Sequence, residues 1–416
     1  MTYAKSSLLV IMLPLVTFYC YALDLYVPLV PIIGNFFEAS AHEMQATNSY
    51  FMLSIAVGQL FFGPLSDRLG RRWVLFASLL IFLLGNVLAY ATNVFSMFVL
   101  ARVLQGLGSC GCYLSCFATV RDLFANDTEA TEMFSFLNVA TSTSAIIAPS
   151  IGTFLANRFG WRTIFLALWI AAMLTVLYCY FLYPSSHTTT KNHTQNSPSI
   201  LRTYYTILTH PNYLLFTPPA AIGIASFFSL YSVSPYIYMN QFGFSKTLYS
   251  LCYGSFGVAF FIGSGLCSQL LKRIGIGGTL ILGLVIHLVC VALVSLEAIW
   301  LHSLVWPVHA LLIGMIFGAA CMVSAGIGGT MQPFQSHAGA AFAMISCMKF
   351  LTSFVIAEIV VATFRMTFLS FGLTFLLLDA CSLFILYNNL HHINPAIPID
   401  QSALARKQDI IEDQIL

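Results

Sequence analysis

Asp24 is the only acidic residue in an apolar run spanning residues 8 to 34, and Arg102 stands in another such run, from 94 to 118. A charge held in hydrocarbon costs about 2.5–3.5 kcal/mol on insertion scales, so an ionisable residue in such a run marks a functional position. Desolvation favours the neutral form of a buried carboxyl, whereas a nearby guanidinium favours the ionised form. A rearrangement that changes which effect wins makes the carboxyl take up or release a proton. Asp24 is expected to carry that proton and Arg102 to tune it, since both fall at a similar depth in the outer half of their runs. A static Asp24–Arg102 ion pair fastening two helices is the competing reading.

A second group of charges lies later in the chain. Lys349 falls eleven residues into the run from 338 to 362, and Asp379 twelve residues into the oppositely directed run from 367 to 389. Equal depth makes a neutralising pair between adjacent helices one expectation. A Lys349 that instead faces a cavity would favour anionic or zwitterionic ligands. Glu297 and Glu358 fall near the outer ends of their runs, where partial solvation is expected. His287, His309 and His337 share no spacing that would align a proton relay and are expected to be structural or interfacial. Aromatic residues make up 14% of the chain, enough for interfacial belts and for a stacking cavity. The cavity candidates are Tyr21, one turn before Asp24, then Tyr50, and Phe228, Tyr231 and Tyr236 in the run from 213 to 237. With Lys349 and Asp379 these are the expected substrate contacts. The 11 cysteines fall in apolar runs without disulfide spacing, and Cys112 and Cys116, one turn apart, lack a neighbouring histidine or acid. No metal site is expected.

The elements that must position these residues follow from composition. Of 416 residues, 59% are hydrophobic and 8% charged, against about 25% charged in soluble domains. The class is an all-α membrane protein. Apolar runs of 18 or more residues give twelve transmembrane helices in two six-helix halves. Residues 1–183 form the N-terminal half, 184–212 a polar cytoplasmic linker, 213–389 the C-terminal half and 390–416 a cytoplasmic tail. Pro14, Pro28 and Pro31 forecast kinks or a broken end in the first span. With the N-terminus inside, eleven Lys and Arg fall on the cytoplasmic side and four outside, which puts both termini in the cytoplasm. A net charge of +2 provides no basic nucleic-acid surface. There is no nucleotide-binding loop and no zinc spacing, so neither enzyme chemistry nor ATP drive is expected.

The stretch Gly63-Pro-Leu-Ser-Asp67-Arg68-Leu-Gly70-Arg71-Arg72 separates two of these spans. Its glycines permit a tight turn, and Asp67 beside three arginines can form charge-assisted hydrogen bonds to neighbouring helix ends. The stretch closely resembles the loop between helices 2 and 3 that marks the major facilitator superfamily. Arg102-Val-Leu-Gln105-Gly106-Leu-Gly108 is similar to the superfamily's intramembrane arginine motif. Ala148-Pro149-Ser-Ile-Gly152-Thr153 resembles the proline and glycine motif of its antiporters, with Thr153 where that motif ends in a second glycine and with Ala140 and Ser144 at upstream small positions. Asp24-Leu-Tyr26-Val-Pro28, Gln45 with Thr47, Ser234-Pro235-Tyr236, Gly243-Phe-Ser245 and Gln335-Ser-His-Ala-Gly339 resemble the Bcr/CflA group of drug/proton antiporters.

The resemblance implies the major facilitator fold, with binding at the interface of the halves, alternating access, and proton-driven export of varied small lipophilic or amphipathic compounds without a cofactor. In the superfamily the positions of Asp67 and Arg71 lock the cytoplasmic side, and Asp122 matches the acid at the inner end of helix 4. Gly63, Asp67, Arg68, Gly70, Arg71, Arg72 and Asp122 are thus the expected gate, and Ala148, Pro149 and Gly152 the antiporter motif. The expected partners are small-molecule substrates, protons and membrane lipid, with the chain working as a monomer in a bacterial inner membrane. The alternatives are a dedicated exporter or importer of one metabolite, such as a siderophore, and, outside transport, a receptor or channel.

Overall fold

Proline dictates the first departure from a plain helix. α1 (Lys5–Asp24) stops short of Pro28, a 3-10 turn covers Val27–Leu29, and α2 (Val30–Phe37) restarts with Pro31 in its first turn. Neither proline can donate a backbone hydrogen bond, so each suits a helix start and not an interior. The computed structural model describes residues 5–123, 127–182, 200–300, 305–364 and 368–389. Within these ranges the side chains of 5–11, 64, 67–68, 117–136, 138–140, 142, 182, 200–201, 268, 300, 335–339 and 361–364 lie outside the description.

The remaining helices are α3 (Ala41–Leu69), α4 (Arg71–Ala91), α5 (Phe95–Leu123), α6 (Asp127–Phe159), α7 (Thr163–Leu182), α8 (Ile200–Leu208), α9 (Pro211–Pro235), α10 (Lys246–Trp300), α11 (Val305–Met331), α12 (Ala338–Phe364) and α13 (Phe368–Asn388). Among the described residues, every apolar run picked out from the sequence falls mainly on helix. The polar stretch 184–212 contains α8, whose Ile207 and Tyr204 pack with Tyr213, Phe334 and Met344. Ten helical segments among the described residues are long and apolar enough to cross a membrane. The chain is therefore an all-helical integral membrane protein. Large apolar side chains such as Phe61, Trp73, Phe154, Phe181, Leu377 and Phe384 point outward, the arrangement that hydrocarbon and not water favours.

Helix ends are closed by local chemistry. Ser40 caps α3: its Oγ accepts the Glu43 N–H at 3.2 Å while its own N–H donates to Glu43 Oε2 at 2.8 Å. That backbone donor holds the exposed Glu43 carboxyl below the usual carboxylate range. Gly70 joins α3 to α4 at φ 90°, a conformation that side chains with a Cβ avoid. Gly275, at φ 73°, bends α10 into two limbs joined by that single residue.

Small residues let the helix backbones touch. A Cβ on Gly85 of α4 would stand 2.8 Å from the Gln105 nitrogen, and one on Gly108 of α5 would stand 2.7 Å from Phe82 Cα. Close approach of this kind replaces the hydrophobic effect as the force that pairs helices in lipid. Gly108→Val is expected to lower stability by about 1–3 kcal/mol through overpacking. Gly328→Ala, where a Cβ meets nothing within 4 Å, is expected to leave it unchanged. Thermal unfolding of the two detergent-purified variants, followed by size-exclusion fluorescence, checks the contrast.

Candidate functional site

Carbonyls at a helix C-terminus lose their intrahelical donors, and the end of α1 shows where they go. Tyr26 N–H turns back to Leu23 O, leaving Ala22 O without its own donor. Arg102 of α5 fills the gap: its Nη1 donates to Ala22 O at 3.0 Å and to Gln105 Oε1 at 2.8 Å. A cation here also meets the negative end of the helix dipole. The guanidinium lies against the rings of Tyr26 and Phe51, 4.4 and 4.6 Å from their centroids, which adds cation–π attraction at a fully buried position. Gln105 Nε2 donates onward to Asn86 Oδ1 at 2.8 Å, and Asn86 Nδ2 donates to Phe82 O at 2.8 Å. A polar chain thus runs from α1 through α5 into α4.

Asp24 turns away from this chain. Its carboxyl accepts from Ser144 Oγ of α6 at 2.7 Å and from Tyr253 Oη of α10 at 3.1 Å. Among the described residues it has no cationic partner, so the Asp24–Arg102 ion pair of the competing reading is not formed. Nothing in the sequence signals Tyr253, whereas Gln105, one turn from Arg102, shares a helix face with it.

The three elements that meet at Asp24 fit closely. Tyr231 of α9 donates to Leu23 O at 2.6 Å, and the Thr153 and Ser250 hydroxyls of α6 and α10 are 2.6 Å apart. Gly152 lies against the Leu25 carbonyl, next to the buried Ala148 and Pro149. The proline and glycine motif therefore lines the junction of α1, α6 and α10. At the far end of α3, Arg71 Nη1 donates to Ser66 Oγ at 2.8 Å and Arg72 Nη2 to Tyr180 O at 2.9 Å. Gly63 faces Tyr204 of α8, and Gly70 makes the turn. The side chains of Asp67, Arg68, Asp122 and His337 lie outside the described residues.

The expected substrate contacts separate into two groups. Phe228 and Tyr231 are buried on α9 and Tyr236 at the start of the π-helical segment Tyr236–Gln241 that follows it, and Tyr21 packs, half-buried, on the core. Tyr50 does not join them: it is 43% exposed on the stripe of α3 that carries Val57 and Phe61. Positions seven and eleven residues apart share a helix face, and this one faces outward. Asp379 is also removed from the set. Its Oδ2 lies 2.6 Å from Nδ1 of His287 on the second limb of α10, both side chains fully buried, so the expected Lys349–Asp379 pair is not made. The two residues share a depth but face different neighbours. His309 bridges Tyr238 at 2.9 Å and Ser255 at 3.0 Å.

Comparison with known proteins places this geometry. The model of the Major Facilitator Superfamily matches residues 12–357. A chloramphenicol resistance protein of Pseudomonas aeruginosa is 27% identical over 348 residues, 83% of this chain and 81% of that one. The multidrug resistance protein MdtL of Shewanella oneidensis is 29% identical over 236 residues, so that this match spans 57% of the present chain and 59% of MdtL. The crystal structure of a D-xylose-proton symporter superposes with a TM-score of 0.71 at 16% identity, over 91% of this chain and 97% of that one, a likeness of fold.

The His287–Asp379 contact has a measurable signature. His287→Leu is expected to cost about 3–5 kcal/mol by stranding a buried acid, and the double variant His287→Leu/Asp379→Leu to recover most of it. Thermal unfolding of the single and double variants measures the coupling; equal losses in both would show that the contact is not what stabilises this region.

Proposed function

This chain belongs to the Major Facilitator Superfamily, and we propose that it is a proton-coupled exporter of small lipophilic or amphipathic compounds working by alternating access. Its helices are read as twelve crossings in two six-helix halves, residues 1–183 and 213–389, with the linker 184–212, the tail 390–416 and both termini in the cytoplasm of a bacterial inner membrane. The observation that carries the reading is the Asp24 carboxyl, buried and held by two hydroxyl donors instead of a cation. A carboxyl so held can gain a proton without breaking an ion pair. Protonation removes its charge and weakens the charge-assisted bond from Tyr253, which loosens α10 from α1. Arg102, fixed on the same helix end, is the residue assigned to tune that step.

Export follows if the substrate binds best to the form that gives up the proton. The buried aromatic residues Phe228, Tyr231 and Tyr236 suit flat apolar bodies, since ring faces accept them without strict hydrogen-bond geometry. Asp67, Arg71 and Asp122 are assigned to the cytoplasmic gate, formed when helix ends approach and broken when they part. The relatives named for chloramphenicol and multidrug resistance favour drug-like substrates. A dedicated exporter of one anionic metabolite is the narrower reading, and the unpaired Lys349 favours it.

In inside-out vesicles, ethidium and a small panel of antibiotics are expected to trigger proton release through the wild type. Asp24→Asn, monodisperse after extraction, is expected to abolish it, and Tyr253→Phe to shift its pH dependence. Coupling that persists in Asp24→Asn would move the proton site elsewhere. No proton movement with any compound in the wild type would remove drug antiport.

A further inference from the structure

Among the described residues, the buried charged side chains Asp24, Arg102 and Asp379 have partners within the chain, and Lys349 departs from them. Arg102 meets carbonyl oxygens and two rings, Asp24 meets two hydroxyls, and Asp379 meets His287. Lys349 of α12 is only 8% exposed, yet among the described residues its Nζ has no acid and no hydrogen-bond acceptor. Its one contact of note is the ring of Phe342, 5.9 Å to the centroid, at the outer limit of useful cation–π attraction. An ammonium in such a place is costly unless something else neutralises it.

Phe342 stacks on Tyr113 of α5 at 6.1 Å, Tyr113 meets Tyr19 of α1 edge-on at 5.3 Å, and Tyr19 meets Phe350 at 6.0 Å. This series of rings leaves α12 one side of Lys349 and returns to it on the other. Ser346, one turn before Lys349, has a buried hydroxyl without a hydrogen-bond partner. A cation and a hydroxyl without a hydrogen-bond partner beside a series of contacting rings match a molecule with an anionic end and a flat apolar body.

We infer that Lys349 binds the anionic group of the transported compound, and that Tyr19, Tyr113, Phe342 and Phe350 take its apolar part. The substrates therefore include amphipathic organic acids, aromatic carboxylates among them. The inference rests on the reading of this interior as the path of a small-molecule exporter.

Equilibrium binding to the detergent-purified full chain tests it with 2-naphthoate and its neutral counterpart, 2-naphthamide. The wild type is expected to bind the acid at least tenfold more tightly than the amide. Lys349→Gln is expected to erase that preference while changing amide affinity less than threefold, and Lys349→Arg to retain it. Equal affinities in the wild type, binding of neither probe, or a preference surviving Lys349→Gln would overturn the inference. Should Lys349→Gln not stay monodisperse, Lys349→Met takes its place, and the wild-type comparison decides by itself if no preference exists. Because binding needs no proton gradient, a lost acid preference in a coupled exporter counts against this inference alone. Intact preference without proton coupling counts against the proposed function alone.

Discussion

The interior is organised around the neutralisation of one guanidinium. Arg102 is fully buried, and a lone charge there would be expensive. Among the described residues no carboxylate answers it. The compensation is spread over a freed carbonyl at the end of α1, an amide one turn away and two ring faces. Each of these requires another element in place: the break before Pro28 exposes Ala22 O, α3 brings Phe51, and Asn86 of α4 orients the Gln105 amide. The glycines at 85, 106 and 108 serve the same end, since only backbones in near contact put α3, α4 and α5 within reach of one side chain.

This arrangement also leaves Asp24 outside the guanidinium's set of partners. An acid paired with Arg102 would be locked in its ionised form. With the guanidinium engaged elsewhere, Asp24 is held by Ser144 and Tyr253, whose hydroxyls can donate to the ionised carboxyl and can equally accept from the neutral one. The same two contacts make the carboxyl a report on whether α6 and α10 are close to α1. α1, α6 and α10 are thereby joined at a single group.

Much of the fold was legible because a helix in lipid needs a long apolar run, and such runs are hard to mistake. α8 escaped notice because nine residues in a polar stretch carry no such signal. Asp24 and Arg102 stood out as charges among apolar neighbours, and helical spacing offers Gln105, one turn from Arg102, as a partner. Their other partners did not. Ser144 lies 120 residues from Asp24 and Tyr253 lies 229 residues away, and hydroxyls are too common in helices to be singled out. Lys349 and Asp379 show a further limit: counting residues gives depth along a helix axis but not direction around it. Tyr50 fails for the same reason, on a face as apolar as its neighbour.

The elbow at Gly275 gives α10 a mechanical character that a looped pair of helices would lack. One limb carries Tyr253, Ser250 and Gly257 against α1 and α6, and the other carries His287 against α13. A loop of several residues would absorb sliding between the limbs, as slack rope absorbs a pull. A single glycine has no length to give; it offers rotation about two bonds and nothing else. The relative orientation of the two limbs is therefore set by the two dihedrals of Gly275 and not by a length of loop, so the limb packed at Asp24 and the limb packed at Asp379 are joined without slack.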